Sequence, residues 1–216
     1  MRCCGYDEFF DARLARKDAD RYLRKGLRTS ARHVLELARE GGLAGAEVLE
    51  IGGGVGALSV ELVAAGAAHA TVVELSSGYE EAARGLLAER GLERRVEHRR
   101  GDVVEAGDEL GDADVVVLER VVCCYPDATA LVGAVAARTR RRLVLSYPRP
   151  GAPARAFARV ANLVLRLRRS DFRIAAHPRE TIRAAALAHG LQPAGPESGG
   201  PVWRVAAFDR AYPTSR

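Results

Sequence analysis

The fold of this chain is decided by residues 48–59, which read Val48-Leu49-Glu50-Ile51-Gly52-Gly53-Gly54-Val55-Gly56-Ala57-Leu58-Ser59. An apolar run ends in a carboxylate, glycines follow at positions 52, 54 and 56, and an amphipathic segment begins. This order predicts a buried strand, a tight turn, and a helix from about Ala57 to Gly66. Glycine permits left-handed backbone angles and lets a ligand lie against the main chain, so the turn is a candidate binding site.

Two classes of ligand fit a glycine turn of this kind. A nicotinamide or flavin dinucleotide requires G-x-G-x-x-G or G-x-G-x-x-A, which Gly52, Gly54 and Ala57 satisfy. Read as E-x-G-x-G-x-G, from Glu50 to Gly56, the same stretch resembles motif I of the class I S-adenosylmethionine (SAM) methyltransferases. A carboxylate beside the turn is a poor neighbour for a pyrophosphate, which seeks bare N–H groups, and a good neighbour for the cationic amine of SAM. The turn therefore favours SAM.

Two further acids follow the next two predicted strands. Glu74 ends strand two and lies 22 positions after Gly52 (74 − 52 = 22), where a doubly wound nucleotide fold places the acid that binds the ribose hydroxyls. Asp102 follows strand three, and the resemblance to class I methyltransferases implies that it meets the adenine amino group. The predicted cofactor-binding residues are Tyr22, Glu50, Gly52, Gly54, Gly56, Glu74, Leu75, Asp102, Val103 and Glu119.

The pattern along the chain predicts an α/β fold. Strands and helices alternate from residue 46, and two strand-like segments flank a Pro/Gly/Ser-rich connection at 195–201 near the end. We predict a Rossmann-like, doubly wound, seven-stranded sheet with a terminal antiparallel hairpin, which is the class I methyltransferase fold. Residues 1–216 are expected to form a single methyltransferase domain.

Two segments outside this alternation are predicted to be additions to the sheet. Residues 1–42 are predicted to form a helical lid over the cofactor, with Tyr22 as the lid residue. Residues 150–178 are predicted to be a helical insertion after strand five. The insertion contains an amphipathic basic helix at 153–169, for which we consider a surface helix, a substrate cap, or a foot on an anionic membrane surface.

Composition limits the class of protein. A chain of 216 residues that is 48% hydrophobic can bury a real core, and no apolar run approaches the roughly 20 residues that span a bilayer. Without an apolar leader we expect a cytoplasmic protein, and the net charge of +5 permits an acidic substrate, a nucleic acid or an anionic membrane. The vicinal pairs Cys3-Cys4 and Cys123-Cys124 lack C-x-x-C spacing. They predict reduced thiols and no metal, with a four-thiolate zinc site as the alternative.

The methyl acceptor is expected beyond the carboxyl ends of strands four and five. The segment 119–127, with Ser146-Tyr147-Pro148-Arg149 and His177-Pro178, resembles the group of small methyltransferases that includes magnesium-protoporphyrin O-methyltransferase. That group is expected to carry His-Tyr-Pro where this chain has Cys-Tyr-Pro at 124–126, which argues against a porphyrin acceptor. The candidates near the acceptor are Glu119, Arg120, Cys124, Tyr125, Tyr147 and His177, and no single catalytic base is predicted.

The predicted function is methyl transfer from SAM to an O- or N-nucleophile of a small molecule. One alternative is an RNA or DNA methyltransferase that uses its arginines on phosphates, although the Asn/Asp-Pro-Pro-Tyr signature for base amines is lacking. A second alternative, an NAD-dependent oxidoreductase, is disfavoured by Glu50 and by the terminal hairpin. A non-enzymatic scaffold is disfavoured because only a ligand requires the glycines and acids together. The sequence predicts no oligomeric state.

Overall fold

The computed structural model describes residues 5–211, so Cys3 and Cys4 lie outside the described residues. Within this range the α-helices are α1 (Tyr6–Phe9), α2 (Ala12–Lys25), α3 (Thr29–Glu40), α4 (Ala57–Ala64), α5 (Glu80–Arg90), α6 (Ala128–Arg138), α7 (Ala152–Leu167) and α8 (Arg179–Ala188). The strands are β1 (Glu47–Ile51), β2 (His69–Glu74), β3 (Val96–Arg100), β4 (Ala113–Leu118), β5 (Thr139–Pro148), β6 (Leu191–Pro193), β7 (Ser198–Gly199) and β8 (Trp203–Arg210).

All these strands belong to one sheet in the order β3-β2-β1-β4-β5-β8-β6, with β7 paired to β8. Strands β1 to β5 run parallel to one another, whereas β8 runs antiparallel to β5 and β6. The predicted α/β fold with a terminal antiparallel hairpin is confirmed. Strand β7 is an addition to the seven predicted strands, because two residues show no alternating apolar pattern that a sequence could reveal.

The core lies on both faces of the sheet because successive side chains of a strand point to opposite sides. Val48 of β1 and Val144 of β5 are fully buried on the face covered by α2, α3, α4 and α5. Leu49 and Leu145, one position further along the same strands, are buried on the face covered by α6 and α8. The central strand β4 is therefore apolar along nearly its whole length, whereas the edge strand β3 is mostly polar after Val96.

The N-terminal region consists of three helices. The Asp11 side chain accepts the backbone N–H of Leu14 at 2.8 Å and caps the start of α2. Gly26, with φ of 65°, ends α2, and two residues separate it from the start of α3 at Thr29. The region predicted as a helical lid is thus divided into separate helices, because Asp11 begins α2 and Gly26 ends it.

The N-terminal segment and the insertion after β5 pack against each other. The ring of Phe172 is 1% exposed and stacks on Phe9 at 4.5 Å between centroids. Phe10 meets the same ring edge-on at 5.3 Å, and Tyr6 meets it at 5.6 Å. Leu165 of α7 completes this small core. Two segments far apart in sequence therefore form one aromatic roof at the carboxyl edge of the sheet, and we refer to these five residues as the roof.

Candidate active site

A left-handed turn joins β1 to α4. Gly52 and Gly54 have φ angles of 62° and 57°, which residues with side chains rarely adopt. A Cβ on Gly52 would lie 2.6 Å from Cγ2 of Val121, so the turn is also too closely packed for a side chain. The glycine pattern therefore produces the bare main-chain surface that the sequence predicts.

Gly53 is a further position that the alternate spacing of glycines did not reveal. A Cβ at this position would lie 2.6 Å from Cδ of Glu50 and 2.7 Å from Cγ1 of Val72. Because real Cβ contacts are not this short, a side chain at 53 would displace the Glu50 carboxyl group. The run of three consecutive glycines was the signal available in the sequence.

Glu50 is buried beneath the turn and is held by the first turn of α4. Its Oε2 accepts the backbone N–H of Ser59 at 3.0 Å and the Ser59 hydroxyl at 2.5 Å. Helix starts leave N–H groups without partners, so β1 supplies a cap to the helix that follows it. Burial raises the pKa of Glu50 from its usual 4.5 to about 8, because the Ser59 hydrogen bonds only partly oppose it and the carboxyls of Glu119 and Glu74 reinforce it.

Glu74 connects the end of β2 to the glycine turn. Its Oε2 accepts the backbone N–H of Gly54 at 2.9 Å, and its Oε1 accepts that of Ser76 at 3.0 Å. Burial raises the pKa of Glu74, and these two hydrogen bonds oppose the rise. Each carboxylate oxygen has a second lone pair, so Glu74 keeps the capacity to accept two hydroxyl groups of a ligand.

Asp102, which was predicted to bind the cofactor, contacts a residue that was predicted on the acceptor side. Its Oδ1 accepts the backbone N–H of Val104 at 2.9 Å, and the Tyr125 hydroxyl lies 3.1 Å from both carboxylate oxygens. Burial and the neighbouring Asp102 raise the pKa of Tyr125, so Tyr125 remains a hydrogen-bond donor at neutral pH. An acid predicted to meet the cofactor is thus oriented by a tyrosine predicted on the acceptor side.

These groups border one cavity of about 1150 Å³, which exceeds the roughly 300–1,000 Å³ of ordinary ligand pockets. The cavity can therefore hold a second molecule beside a cofactor. The acids converge because the carboxyl ends of parallel strands meet at one edge of the sheet. The predicted site residues that line the cavity are Tyr22, Glu50, Gly52, Gly54, Glu74, Leu75, Asp102, Val103, Glu119, Arg120, Cys124 and Tyr125.

The structure places three predicted site residues outside this cavity. Gly56, with φ of 77°, is the N-cap of α4 and is not among the residues that line the cavity. Tyr147 borders a second cavity, which Arg179 and Ile182 of α8 also line. Nε2 of His177 lies 2.9 Å from the backbone carbonyl oxygen of Tyr125. His177 therefore braces the segment after β4 from outside.

Cys123 and Cys124 lie in the cavity wall as reduced thiols, with their sulfur atoms 3.6 Å apart. The hydrogen bond with Cys123, together with burial, raises the pKa of Cys124, so that Cys124 is protonated at neutral pH. Among residues 5–211 no group of three or more His, Cys, Asp or Glu side chains has metal-binding geometry.

Tyr22 is a fixed part of the cavity wall. Its hydroxyl donates to Oε1 of Glu61 on α4 at 2.8 Å, and the guanidinium of Arg90 lies 5.2 Å from its ring centroid. Burial and the hydrogen bond to Glu61 raise the pKa of Tyr22. Tyr22 lines the cavity together with the roof residues Tyr6 and Phe9.

Asp7 fastens α1 to the loop after β2. Its Oδ1 accepts the backbone N–H of Ser77 at 2.8 Å and the hydroxyls of Ser76 and Ser77 at 3.1 Å. Arg100 lies 3.4 Å from its Oδ2. Although burial opposes the change, these bonds lower the pKa of Asp7 and keep it charged. Asp7 was not predicted as a contact of this loop, because Asp7 and Ser77 lie 70 residues apart.

Arginines border the cavity on the side of α2, α3 and the end of β4. Burial and the nearby cations of Arg28 and Arg120 lower the pKa of Arg21. Arg28 is paired with Asp18 at 2.9 Å. Arg120 has a left-handed φ of 61°, unusual for a residue with a side chain, and its guanidinium lies 4.8 Å from the ring centroid of Trp203. Asp18, Arg28 and Trp203 were not predicted, since nothing in their local sequence marks them.

The sheet order and the convergent acids define a Rossmann-like protein with the class I methyltransferase fold. Comparison with known families agrees: residues 48–143 match the family model described as "Methyltransferase domain". This range contains the glycine turn, Glu74, Asp102 and Glu119. The resemblance predicted from motif I is therefore confirmed.

Individual relatives extend this comparison. Over 103 residues the chain is 37% identical to a ubiquinone biosynthesis O-methyltransferase of Aromatoleum aromaticum. The match covers 47% of this chain and 43% of that relative, so the chain spans less than half of the curated relative's length.

Solved structures cover more of the chain at lower identity. Magnesium protoporphyrin IX methyltransferase from Synechocystis PCC 6803, with bound S-adenosylhomocysteine, aligns with a TM-score of 0.66 at 22% identity, over 93% of this chain and 86% of that one. An O-methyltransferase family protein from Burkholderia thailandensis aligns with a TM-score of 0.71 at 20% identity, over 95% and 63% of the two chains. At these identities the likeness shows a shared fold.

Proposed function

We propose that the chain is a SAM-dependent methyltransferase that transfers a methyl group to an O- or N-nucleophile of a small-molecule acceptor. The observation that carries the proposal is a group of carboxyls around one cavity, formed by the buried Glu50 and Glu74 and the half-buried Glu119. Burial raises the pKa of each of them, so the site favours a cation. SAM brings a sulfonium and an ammonium group, whereas a dinucleotide brings a diphosphate that these acids repel.

The residues of the wall fit the parts of SAM, which supplies an activated methyl group when bound. Glu50 and the bare main chain of the glycine turn suit the amino-acid part. Glu74 can accept the ribose hydroxyls, and Asp102 can accept the adenine amino group beside the apolar side chains of Leu75 and Val103. The buried acids thus hold the cofactor through its cationic and donor groups.

The acceptor is proposed to lie between the ends of β4 and β5 and α7. Arg120 over Trp203 offers a cation and a flat ring, which suit an acceptor with a planar apolar body and a carboxylate or phosphate group. Beneath the roof, such a molecule is shielded from bulk water, and in-line displacement then depends mainly on alignment. The curated relative's name, an O-methyltransferase, supports an oxygen nucleophile.

Calorimetry with SAM, S-adenosylhomocysteine and NAD tests the cofactor. We expect binding of the first two at about micromolar Kd and no binding of NAD. Transfer of labelled methyl groups from SAM into small-molecule extracts, compared with transfer into total RNA, tests the acceptor class. Binding of NAD without SAM, or labelling confined to RNA, would overturn the proposal.

A further inference from the structure

The insertion after β5 carries a cationic helix whose charge has no acidic counterpart nearby in sequence. From Gly151 to Ser170 the chain contains five arginines, at positions 155, 159, 166, 168 and 169, and no Asp or Glu. Helix α7 (Ala152–Leu167) spans most of this segment and ends in the Arg-rich sequence. The charged side chains of this segment are therefore all positive.

The same helix exposes large apolar side chains to solvent. Their exposed fractions are high: Phe157 66%, Val160 63%, Leu163 56%, Val164 42% and Leu167 77%. Across residues 5–211 nine large hydrophobic side chains are exposed, and these five are the majority of them. Isolated exposed apolar residues are normal on protein surfaces, but a contiguous group indicates a docking surface.

This apolar surface differs from the face by which α7 packs on the protein. Ala158 and Leu165 are buried, and the Asn162 side chain exchanges two 2.8 Å hydrogen bonds with the backbone of Ile174. At about 100° of rotation per residue, positions 158, 162 and 165 share the inner face. The exposed apolar residues occupy the opposite arc, and three arginines, at 155, 159 and 166, lie along its border.

We propose that α7 docks on the surface of an anionic lipid bilayer, with its exposed apolar arc in the interface and its arginines on the lipid phosphates. Interfacial helices combine an apolar face with bordering cations in this way, and long arginine side chains extend to the headgroups. Each basic residue near such a surface adds attraction that salt weakens. Among residues 5–211 no helix is long and apolar enough to span a membrane, so docking is peripheral.

The charge of α7 argues against a second copy of the chain, and in favour of an anionic bilayer, as the partner of this surface. A symmetric dimer through α7 would bring two sets of arginines together with no acid on either helix, which is unfavourable. A nucleic acid would use the arginines and leave the five apolar side chains in water. Only an amphiphilic, negatively charged surface satisfies both parts of the helix.

Docking would also place the cavity at the bilayer. Pro153, Ala154, Phe157 and Ala158 of α7 line the cavity, so the same helix borders both the site and the proposed membrane surface. An amphiphilic acceptor could then enter from the lipid phase. The docking itself does not depend on the proposed methyl transfer, and either can fail alone.

Vesicle co-sedimentation of the full chain tests the proposal. The vesicles are phosphatidylcholine alone or phosphatidylcholine with about 30 mol% phosphatidylglycerol. We expect at least about tenfold stronger partitioning onto the anionic vesicles, and a marked loss when salt rises from about 0.1 M to about 0.5 M.

A double substitution of exposed leucines on α7 tests the apolar contact, and a matched double substitution on α2 and α8 is its control. Leu163→Glu with Leu167→Glu should lower partitioning about tenfold or more, whereas Leu23→Glu with Leu187→Glu, exposed leucines on α2 and α8, should change it less than about twofold.

The arginines are tested in the same way, at equal change of net charge. Neutralising arginines 155, 159 and 166 to glutamine should lower partitioning about tenfold, whereas neutralising the exposed arginines 13, 16 and 24 of α2 should not. Equal thermal midpoints show that the variants fold.

Several results would overturn the proposal. The first is equal binding to neutral and anionic vesicles, and the second is partitioning that the α7 substitutions do not change. The third is a dimer that forms without lipid and that Leu163→Glu with Leu167→Glu dissociates. Binding to single-stranded RNA that depends on the arginines but not on the leucines would also do so.

Discussion

Replacement of Glu50 by glutamine should stabilise the ligand-free chain and abolish its affinity for SAM. Burial raises the pKa of Glu50 from its usual 4.5 to about 8. Above pH 4.5 the unfolded chain ionises this carboxyl while the folded chain keeps it protonated, so the group increasingly opposes folding as pH rises toward 8. Below pH 4.5 it is protonated in both states and has no such effect.

The size of the effect follows from that interval. At about 1.4 kcal/mol per pH unit, the range from 4.5 to about 8 corresponds to at most about 5 kcal/mol. Since Gln can still accept the Ser59 N–H, Glu50→Gln should raise the free energy of unfolding by about 2–5 kcal/mol at pH 8. The difference should fall to below about 1 kcal/mol at about pH 5.

Urea unfolding at about pH 5, 6.5 and 8 measures this difference. Glu81→Gln, at an exposed position of α5, makes the same chemical change and serves as the control, with no pH-dependent gain expected. If Glu50→Gln is no more stable than the parent chain at pH 8, the carboxyl is not buried as described, and the reasoning is refuted.

The same carboxyl predicts how SAM affinity depends on pH. The ionised fraction of a group with pKa about 8 rises from about 1% at pH 6.0 to about a quarter at pH 7.5. A ligand that requires the ionised carboxyl should therefore bind about twentyfold more tightly at pH 7.5, with release of a proton. Calorimetry in buffers of different ionisation enthalpy measures both quantities. Equal affinity at the two pH values would show that Glu50 does not face the cation.

Three further substitutions test other parts of the site. Gly53→Ala should lower SAM affinity at least about tenfold and destabilise the fold by about 1–3 kcal/mol, because the new Cβ meets the carboxyl of Glu50. The control is Gly85→Ala, at a position of α5 with open space, which should stabilise the fold by about 0.5–1 kcal/mol. Urea titrations measure both changes. Asp7→Ala should raise the SAM dissociation rate severalfold with little change in association, measured by stopped-flow fluorescence of the single tryptophan, and an unchanged rate would mean that the latch does not close the site. Tyr147→Phe should leave SAM affinity and methyl transfer within about twofold of the parent, and a large loss of transfer would return Tyr147 to the acceptor site.

The sheet and the cofactor side of the cavity could be predicted because their signals are local. Glu50 and Glu74 each follow an apolar run, Asp102 follows the third strand, and parallel strands bring such ends to one edge of the sheet. The glycines mark the turn because only glycine adopts its angles without strain. The spacing did not distinguish Gly56, which starts the helix, from Gly52 and Gly54, which face the cavity.

The roof and the position of Tyr147 could not be predicted, because contacts between distant parts of the chain form the roof and strand alternation places Tyr147. Phe9 and Phe172 are more than 160 residues apart and meet only after the insertion has folded back. Tyr147 follows Ser146 by one residue, and that one residue decides which face of β5 it occupies. The motif placed Ser146 and Tyr147 near the end of β5 but could not assign the face of the sheet on which each lies.

The charges of the cavity impose an orientation on its contents. Buried acids surround the glycine turn, and arginines lie toward α2 and the end of β4. A cofactor with a cationic sulfonium would therefore turn that part toward Glu50 and Glu119, and an acceptor with an anionic group would turn it toward Arg120 and Trp203. The nucleophile of the acceptor then lies between these two anchors, where the methyl group is presented. Selectivity on this view depends on where the acceptor's charge lies relative to its nucleophile, and not on a catalytic base.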